Sequence, residues 1–446
     1  MPAARQDRFA GLRRSIRILK TRNYRLFFIG QGISLIGTWM QSVASGWLVY
    51  RLSGSELMLG VVAFSGQVPA FFISPIAGVL ADRLDRRKMI IATQILSLFQ
   101  AACLAALAFS GAVRVWHIAA LSFFLGLING FDMPTRHAFI VSMVEDKSDF
   151  PNVIALNSVL FNGSRLVGPA IAGVAVAAAG EGVCFLFNAI SYCAALAALL
   201  LIRVPAEKTS HAGQNLVREL REGAAYVFGS PPIRFLLMTV ALMSLVSMSF
   251  PVLMPVFAAS ILGGKSDTYG MLVGASGLGA LAGTVFLAMR RSVLGLSRII
   301  SVSMLLFGSA LIAFSFSRTV ALSLAILVVI GFGMILSIAS CNTVLQTIAD
   351  EDKRGRVMSF YVMAFMGAAP LGSILAGAVS SGIGATWTVF ACGVSGVLGG
   401  VIFYLRLPYL RGHIRPIYRR IGIIPEMAAG IQTADELRKP PEFSGN

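Results

Sequence analysis

The chain has 446 residues, of which 56% are hydrophobic and only 13% charged, and its mean hydropathy is +0.78. A soluble fold of this length needs far more polar surface, so the composition excludes one. The formal net charge of +17 raises nucleic acid as a partner, but the positions of the basic residues argue otherwise.

A bilayer core about 30 Å thick is crossed by roughly 20 apolar residues of helix. Twelve stretches meet that length, at 24–50, 58–81, 89–110, 116–143, 153–179, 183–203, 233–262, 269–289, 298–316, 320–348, 357–380 and 385–406. The first is no cleaved signal: it exceeds a signal core, carries Gln31 and Gln41, and is followed by further spans. With twelve alternating crossings, only Arg51, Arg114, Lys265 and Arg318 fall in odd-numbered loops, and Arg165 lies inside a span. The remaining 32 of 37 basic residues sit in the tails, the even-numbered loops and the adjoining span ends. That asymmetry predicts cytoplasmic termini, with membrane lipids rather than nucleic acid as the partner of the charge.

The expected organisation is a basic amphipathic segment at 1–23, a six-helix bundle at 24–203, a linker at 204–232, a second bundle at 233–407 and a polar tail at 408–446. In the first segment Arg8, Arg13, Arg14, Arg17 and Lys20 alternate with Phe9, Leu12, Ile16 and Leu19, as in a helix held on anionic lipid. On the first span Gln31, Ser34, Thr38, Gln41 and Ser45 recur at three- and four-residue intervals, a polar stripe expected to face water or substrate.

Between the second and third spans, residues 78–88 pack Asp82, Arg83, Asp85, Arg86, Arg87 and Lys88 into one loop. Asp82, at the end of the second helix, is placed to cap the positive end of a neighbouring helix. Gly78 is expected to permit close helix approach, and Arg83, Arg86 and Arg87 to bridge acids on adjacent loops.

Of the 20 acidic residues, Asp132 alone falls well inside a span; the deep basic residue is Arg165. The fourth and fifth spans form a hairpin centred near Ser148, with Asp132 16 residues before it and Arg165 17 after. Equal depth predicts that they pair, since an unpaired charge there costs several kcal/mol. Asn129, Asp132 and Arg136 share one face, and Ser158, Asn162, Arg165 and Pro169 another. Such a pair serves either packing or ion coupling; both readings stay open.

In the second half, Pro251 and Pro255 are expected to bend the seventh span, and Asn342 and Gln346 lie four apart on the tenth. The linker alternates Arg218, Glu219, Arg221 and Glu222 with Leu216, Leu220 and Val227, as in an interfacial helix. The five cysteines lie in spans and the four histidines are scattered, so no nucleophile, metal or cofactor site emerges and an enzyme is not expected. Small-residue spacings such as Gly126/Gly130 and Gly279/Gly283 suit helix packing in lipid.

The halves repeat. Gly78 corresponds to Gly283 at an offset of 205, Asp146-Lys147 to Asp352-Lys353 at 206, and Gly168…Gly173 to Gly372…Gly377 at 204. At the position equivalent to Asp82 the second half carries Leu287.

The run from Gly78 to Arg87 resembles the signature loop of the major facilitator superfamily. Pro134-Thr-Arg-His-Ala, the run Asn157 to Pro169, and Gln67 to Pro75 look like its bacterial branch of transmembrane secretion effectors, which contains the enterobactin exporter and macrolide and drug effluxers. The resemblance implies an all-α membrane protein of two pseudo-symmetric six-helix bundles, in a bacterial inner membrane and acting as a monomer. It implies proton-coupled export of an amphipathic drug, macrolide or siderophore by alternating access, with import or uniport as the alternative. It further implies that Asp82 latches the eleventh helix near Arg356, and that Gly163, Gly168, Pro169 and Gly173 form the glycine-proline motif of antiporters. The first, fourth, seventh and tenth helices would line the cavity, with Gln31, Thr38, Gln41, Asn129, Asn162, Asn342 and Gln346 as candidates. One departure is plain: the antiporter arginine expected on the fourth helix is absent, its place taken by Gly126-Leu-Ile-Asn-Gly130.

Overall fold

The computed structural model describes residues 18–143, 149–203, 216–290, 292–351, 353–421 and 423. The expected interfacial helix at the N-terminus lies outside them, apart from its last residues, where Ile18 is buried beside Tyr24 and Phe27.

Twelve long helices follow one another: α1 (Arg22–Ser53), α2 (Glu56–Arg83), α3 (Arg86–Phe109), α4 (Val115–Ser142), α5 (Phe150–Ala179), α6 (Glu181–Leu201), α7 (Pro231–Ile261), α8 (Ser266–Ala288), α9 (Leu296–Ser315), α10 (Val320–Ile348), α11 (Arg354–Ile383) and α12 (Ala385–Arg420). A linker helix, Leu216–Gly229, precedes α7. Eleven of the twelve are long and apolar enough to cross a membrane; α1 is diluted by its amides and hydroxyls. Its depth is nevertheless set by α6, which it meets along its length. Gly30 packs on Ala194 and Ala198, Gly37 on Asn188 and Ser191, and Arg51 forks onto Glu181 at 2.9 and 3.0 Å.

The termini of the helices follow from local chemistry. Ser55 caps α2 by accepting from the Met58 N–H, and Asp85 caps α3 by accepting from Lys88 N–H at 3.1 Å. Gly180 between α5 and α6 and Gly384 between α11 and α12 sit at φ of 80° and 83°, a region costly for any residue with a Cβ. These two turns stand at equivalent places in the repeat. At α7, Pro251 and Pro255 interrupt the ladder: the α-helix ends at Val252 and the chain continues through Met254–Val256 into a π-helical turn, Phe257–Ile261. The expected bend is present. By contrast α12 runs 14 residues past its predicted end at 406, despite Pro408 and Pro416, so the tail begins as helix.

Each half uses the same pairings. In the first, α2 packs on α4, α1 on α5 and α6, and α3 on α4 and α6; in the second, α8 packs on α10, α7 on α11 and α12, and α9 on α10 and α12. The glycine spacings serve these contacts, Gly126 and Gly130 lying against α2, and Gly279 and Gly283 against α10. The two interiors differ in chemistry. The second is packed with aromatic side chains, Phe257 stacking on Phe314 at 4.7 Å and Phe250 meeting Phe307 edge-on at 6.2 Å. The first is pinned by amides: Asn188 donates to Gln41 at 2.8 Å, and Gln41 donates to Gln100 at 3.0 Å.

Candidate substrate path and coupling site

The halves meet along two seams, α2 with α11 and α5 with α8, which the repeat makes equivalent. Both are built on glycine. A Cβ on Gly60 would lie 2.8 Å from the Ser373 carbonyl oxygen, and one on Gly377 would lie 2.7 Å from that of Glu56. Across the other seam, a Cβ on Gly173 would lie 2.8 Å from the Ser266 oxygen, and one on Gly277 would lie 2.8 Å from that of Arg165. Ser266 also donates to the Gly173 carbonyl, Gln67 to Ser373 at 3.1 Å, and Tyr50 hydrogen-bonds Ser260 at 2.6 Å.

These contacts lie toward the end that carries the odd-numbered loops, down to Arg165 and Gly277 at the middle of α5 and α8. The seams finish with Asn162 donating to Thr284, in the last turns of α8, at 3.4 Å, and with Phe71 against Gly367 near the midpoints of α2 and α11. Beyond that level, toward the end carrying both termini, a Cβ on Gly78 or Gly355 would meet nothing among the described residues. The described residues thus make no glycine contact between the halves at the terminus end, the place where a cleft would open. The expected close approach at Gly78 is not found: a Cβ there would touch no described residue. Of the antiporter-like motif, Gly168 packs on Trp39 and Ile36 of α1, Pro169 and Gly173 face α8, and Gly163 touches nothing.

The predicted pairing of Asp132 with Arg165 is not what the fold makes. Asp132 is buried between α3 and α4 and forms an ion pair with Arg136, one turn along its own helix. Its other oxygen accepts from Thr93 at 2.7 Å and from Gln94 at 3.0 Å. The reason is rotation of α4, which presents Asp132 to α3 rather than to α5. Thr93 and Gln94 are adjacent polar residues inside a membrane span, a signal the sequence carried.

Arg165 stands elsewhere, its guanidinium 5.6 Å from the centre of the Trp39 ring. Trp39 in turn meets Phe161 edge-on at 5.9 Å. No described residue forms a hydrogen bond or ion pair with the Arg165 side chain, and its Nε is shut away from solvent without an acceptor.

The polar stripe of α1 is also turned inward. Gln31 and Gln41 are buried, Gln41 engages α3 and α6, and Thr38 bonds the Ser34 carbonyl and lies 3.5 Å from the Tyr192 hydroxyl. Gln100 completes the set by donating to the Leu121 carbonyl of α4. In lipid such amides hold helices together, so Thr38 and Gln41 leave the cavity wall. Asn129 is half-buried with no bond to a described residue. Asn342 accepts from Gln346 at 2.9 Å near the terminus end of α10, where Gln346 is exposed.

In the loop at 78–88, the side chains of Asp82 and Arg83 lie outside the described residues. Arg87 bridges no acid among the described residues: it donates to the Leu199 and Leu200 carbonyls at 3.1 and 3.0 Å, satisfying the end of α6. Arg356, the expected latch partner, is 3.0 Å from Glu222 of the linker helix. Tyr226 of that helix donates to Asp350 at 2.9 Å, and Arg420 at the end of α12 binds the other Asp350 oxygen at 2.6 Å. The linker helix is thus fastened to the second half. Tyr226 and Arg420 together hold the Asp350 carboxyl below its ordinary range, the tyrosine hydrogen bond first. A groove of 440 Å³ between α8, α9 and α10, and another of 560 Å³ beside Asp350, both belong to the second half and not to the cleft.

Comparisons place this architecture among known proteins. The family described as "Transmembrane secretion effector" matches residues 15–414. The chain is similar to the staphyloferrin A transporter of Staphylococcus aureus, at 26% identity over 85% of this chain and 95% of the relative. It is similar to the multidrug efflux pump Tap of Mycolicibacterium fortuitum at 27%, over 86% and 93%. Macrolide efflux protein A of Streptococcus pyogenes matches at 23%, over 58% and 68%. Among solved structures, a bacterial homologue of the human lysosomal transporter Spinster, inward-facing and unoccupied, superposes with a TM-score of 0.66 at 14% identity, over 90% of this chain and 98% of that one. A POT family transporter in complex with a peptide superposes at 0.69 and 13%, over 86% and 96%. These solved structures share the fold.

Proposed function

The chain belongs to the transmembrane secretion effector family of the major facilitator superfamily, multi-pass transporters rather than enzymes, and we propose that it exports amphipathic small molecules by proton-coupled alternating access. The observation that carries this reading is the pair of glycine seams closed at one end of the helices, with no glycine contact between the halves at the other among the described residues. Taking the excess of basic residues as cytoplasmic, the closed end faces out and the cleft opens to the cytoplasm of a bacterial cell. That is the loading state of an exporter. The names of the relatives support drug, macrolide or siderophore-like cargo.

Asp132 is the acid proposed to carry the proton. As a carboxylate it accepts from Arg136, Thr93 and Gln94, and protonation removes the charge that holds α4 to α3. Relief of that contact is how proton entry would reach the cleft, with Asp82 latching α11 when the cytoplasmic end shuts. In everted membrane vesicles energised by a pH gradient, the chain is expected to accumulate a macrolide or a lipophilic dye, and Asp132→Asn to lose the dependence on the gradient. Loss of preloaded compound from those vesicles, rather than uptake, would favour import; gradient-driven uptake by Asp132→Asn would remove this residue from coupling.

A further inference from the structure

Arg165 occupies the middle of α5, at the level where the α5/α8 seam ends; its own backbone oxygen is one of the last atoms of that seam, facing Gly277. Three other arginines among the described residues have partners: Arg136 pairs with Asp132, Arg51 with Glu181, and Arg87 with the carbonyls of α6. Arg165 has no counter-ion, and its enclosed Nε has no acceptor. An arginine at mid-membrane depth is costly unless something of opposite charge reaches it. Nothing on α4 does so, because Asp132 is taken up by Arg136, Thr93 and Gln94.

The surroundings are built to hold a flat group. Trp39 presents its ring 5.6 Å from the guanidinium carbon, within cation–π range. Phe161, one turn toward the open end on the same face of α5, is 43% exposed and leans edge-on against Trp39. A planar guanidinium with free donors is the natural partner of a carboxylate, which it grips through two parallel hydrogen bonds. We propose that Arg165, Trp39 and Phe161 form an anion subsite at the apex of the cleft, which selects cargo carrying a carboxylate beside a flat or apolar body. This rests on the cleft being the substrate path. Because the Arg165 backbone closes the seam, an anion drawn to its side chain loads the element on which outward opening depends.

The test uses the purified full chain in nanodiscs and acid/ester pairs as probes: 1-naphthylacetate and cholate against their methyl esters, with binding followed by tryptophan fluorescence. The wild type is expected to bind each acid about tenfold more tightly than its ester. Arg165→Gln should abolish that preference, Arg165→Lys keep a reduced one, and Trp39→Leu weaken acid binding while leaving the preference in place. No acid preference in the wild type, or an undiminished one in Arg165→Gln, overturns the proposal. If Arg165→Gln fails to fold, wild-type affinity for the acids in both Arg165→Lys and Trp39→Leu overturns it equally. Repeating the pairs in discs of phosphatidylcholine and of phosphatidylglycerol separates a lipid headgroup from cargo: loss of acid binding only in the anionic discs would assign the subsite to lipid and overturn it. A chain that moves nothing in vesicles yet shows the Arg165-dependent preference refutes the transport reading alone. Normal transport without the preference refutes the subsite alone.

Discussion

The seams make a quantitative prediction about which state the protein occupies. In Gly173→Ala the added methyl would sit 2.8 Å from the Ser266 oxygen and 3.0 Å from the Asp267 Cα. Ordinary carbon-to-oxygen contacts lie near 3.3–3.6 Å, so the seam must part by roughly half an ångström. Both obstructing atoms are backbone, so no rotamer relieves the overlap, and overpacking of this kind costs about 1–3 kcal/mol. The cost falls only on the state in which α5 touches α8. Since about 1.4 kcal/mol is a factor of ten, the equilibrium should move about 5- to 150-fold toward the state parted at the odd-loop end. Gly377→Ala, 2.7 Å from the Glu56 oxygen, should do the same on the other seam, and the two should add. Gly163→Ala, whose Cβ meets nothing, is the control. Spin labels at positions 114 and 318, in a background with Cys103, Cys193 and Cys392 replaced by serine, report the separation of the halves by double electron–electron resonance. Longer distances in the two seam variants and an unchanged distribution in Gly163→Ala are expected. Identical distributions in all three would refute the claim that these seams hold the outer gate.

Gln41→Leu strands the Gln100 oxygen and an Asn188 N–H, at about 1–3 kcal/mol each. Thermal unfolding should fall by several degrees with cargo selection unchanged; the reverse pattern would return Gln41 to the cavity. Asp82→Asn should slow closure of the terminus end, read from labels on α2 and α11, while cargo affinity in the open state stays as in the wild type; unaltered closure rates would dismiss the latch. Because the folded Asp350 carboxyl is depressed, its contribution is complete above the ordinary carboxylate range near 3.8 and disappears as pH falls through the lower folded value. Hydrogen exchange in the linker helix, corrected for intrinsic rate, should therefore rise below that range in the wild type, and should already be raised at neutral pH in Asp350→Asn. Equal protection in both at pH 7 would count against the fastening.

The helices were legible because apolar length is a strong signal, and the repeat of the halves because Gly168…Gly173 and Gly372…Gly377 recur at one offset. What periodicity could not supply was which neighbour each polar face meets. The α1 stripe was visible as a stripe, yet a three- and four-residue spacing does not say whether Gln41 points at water or at Asn188. Depth matching of Asp132 and Arg165 failed for the same reason: it fixes height along the membrane normal and leaves rotation about the helix axis free. The extension of α12 was hidden by Pro408 and Pro416, which ordinarily stop a helix, and it is held by a partner far away in sequence, Asp350. Trp39 escaped notice because an aromatic residue in an apolar span looks like packing.

The amides that pin the first half have a mechanical meaning. Greasy surfaces in lipid can slip past one another with little change in energy, whereas Gln41, Gln100 and Asn188 lock α1, α3 and α6 in one register. A shift of α1 by a single turn would break these bonds with no water at hand to replace them. Bending that accompanies a transport cycle should therefore spare these three helices and gather in α7, whose π-helical turn already interrupts the ladder.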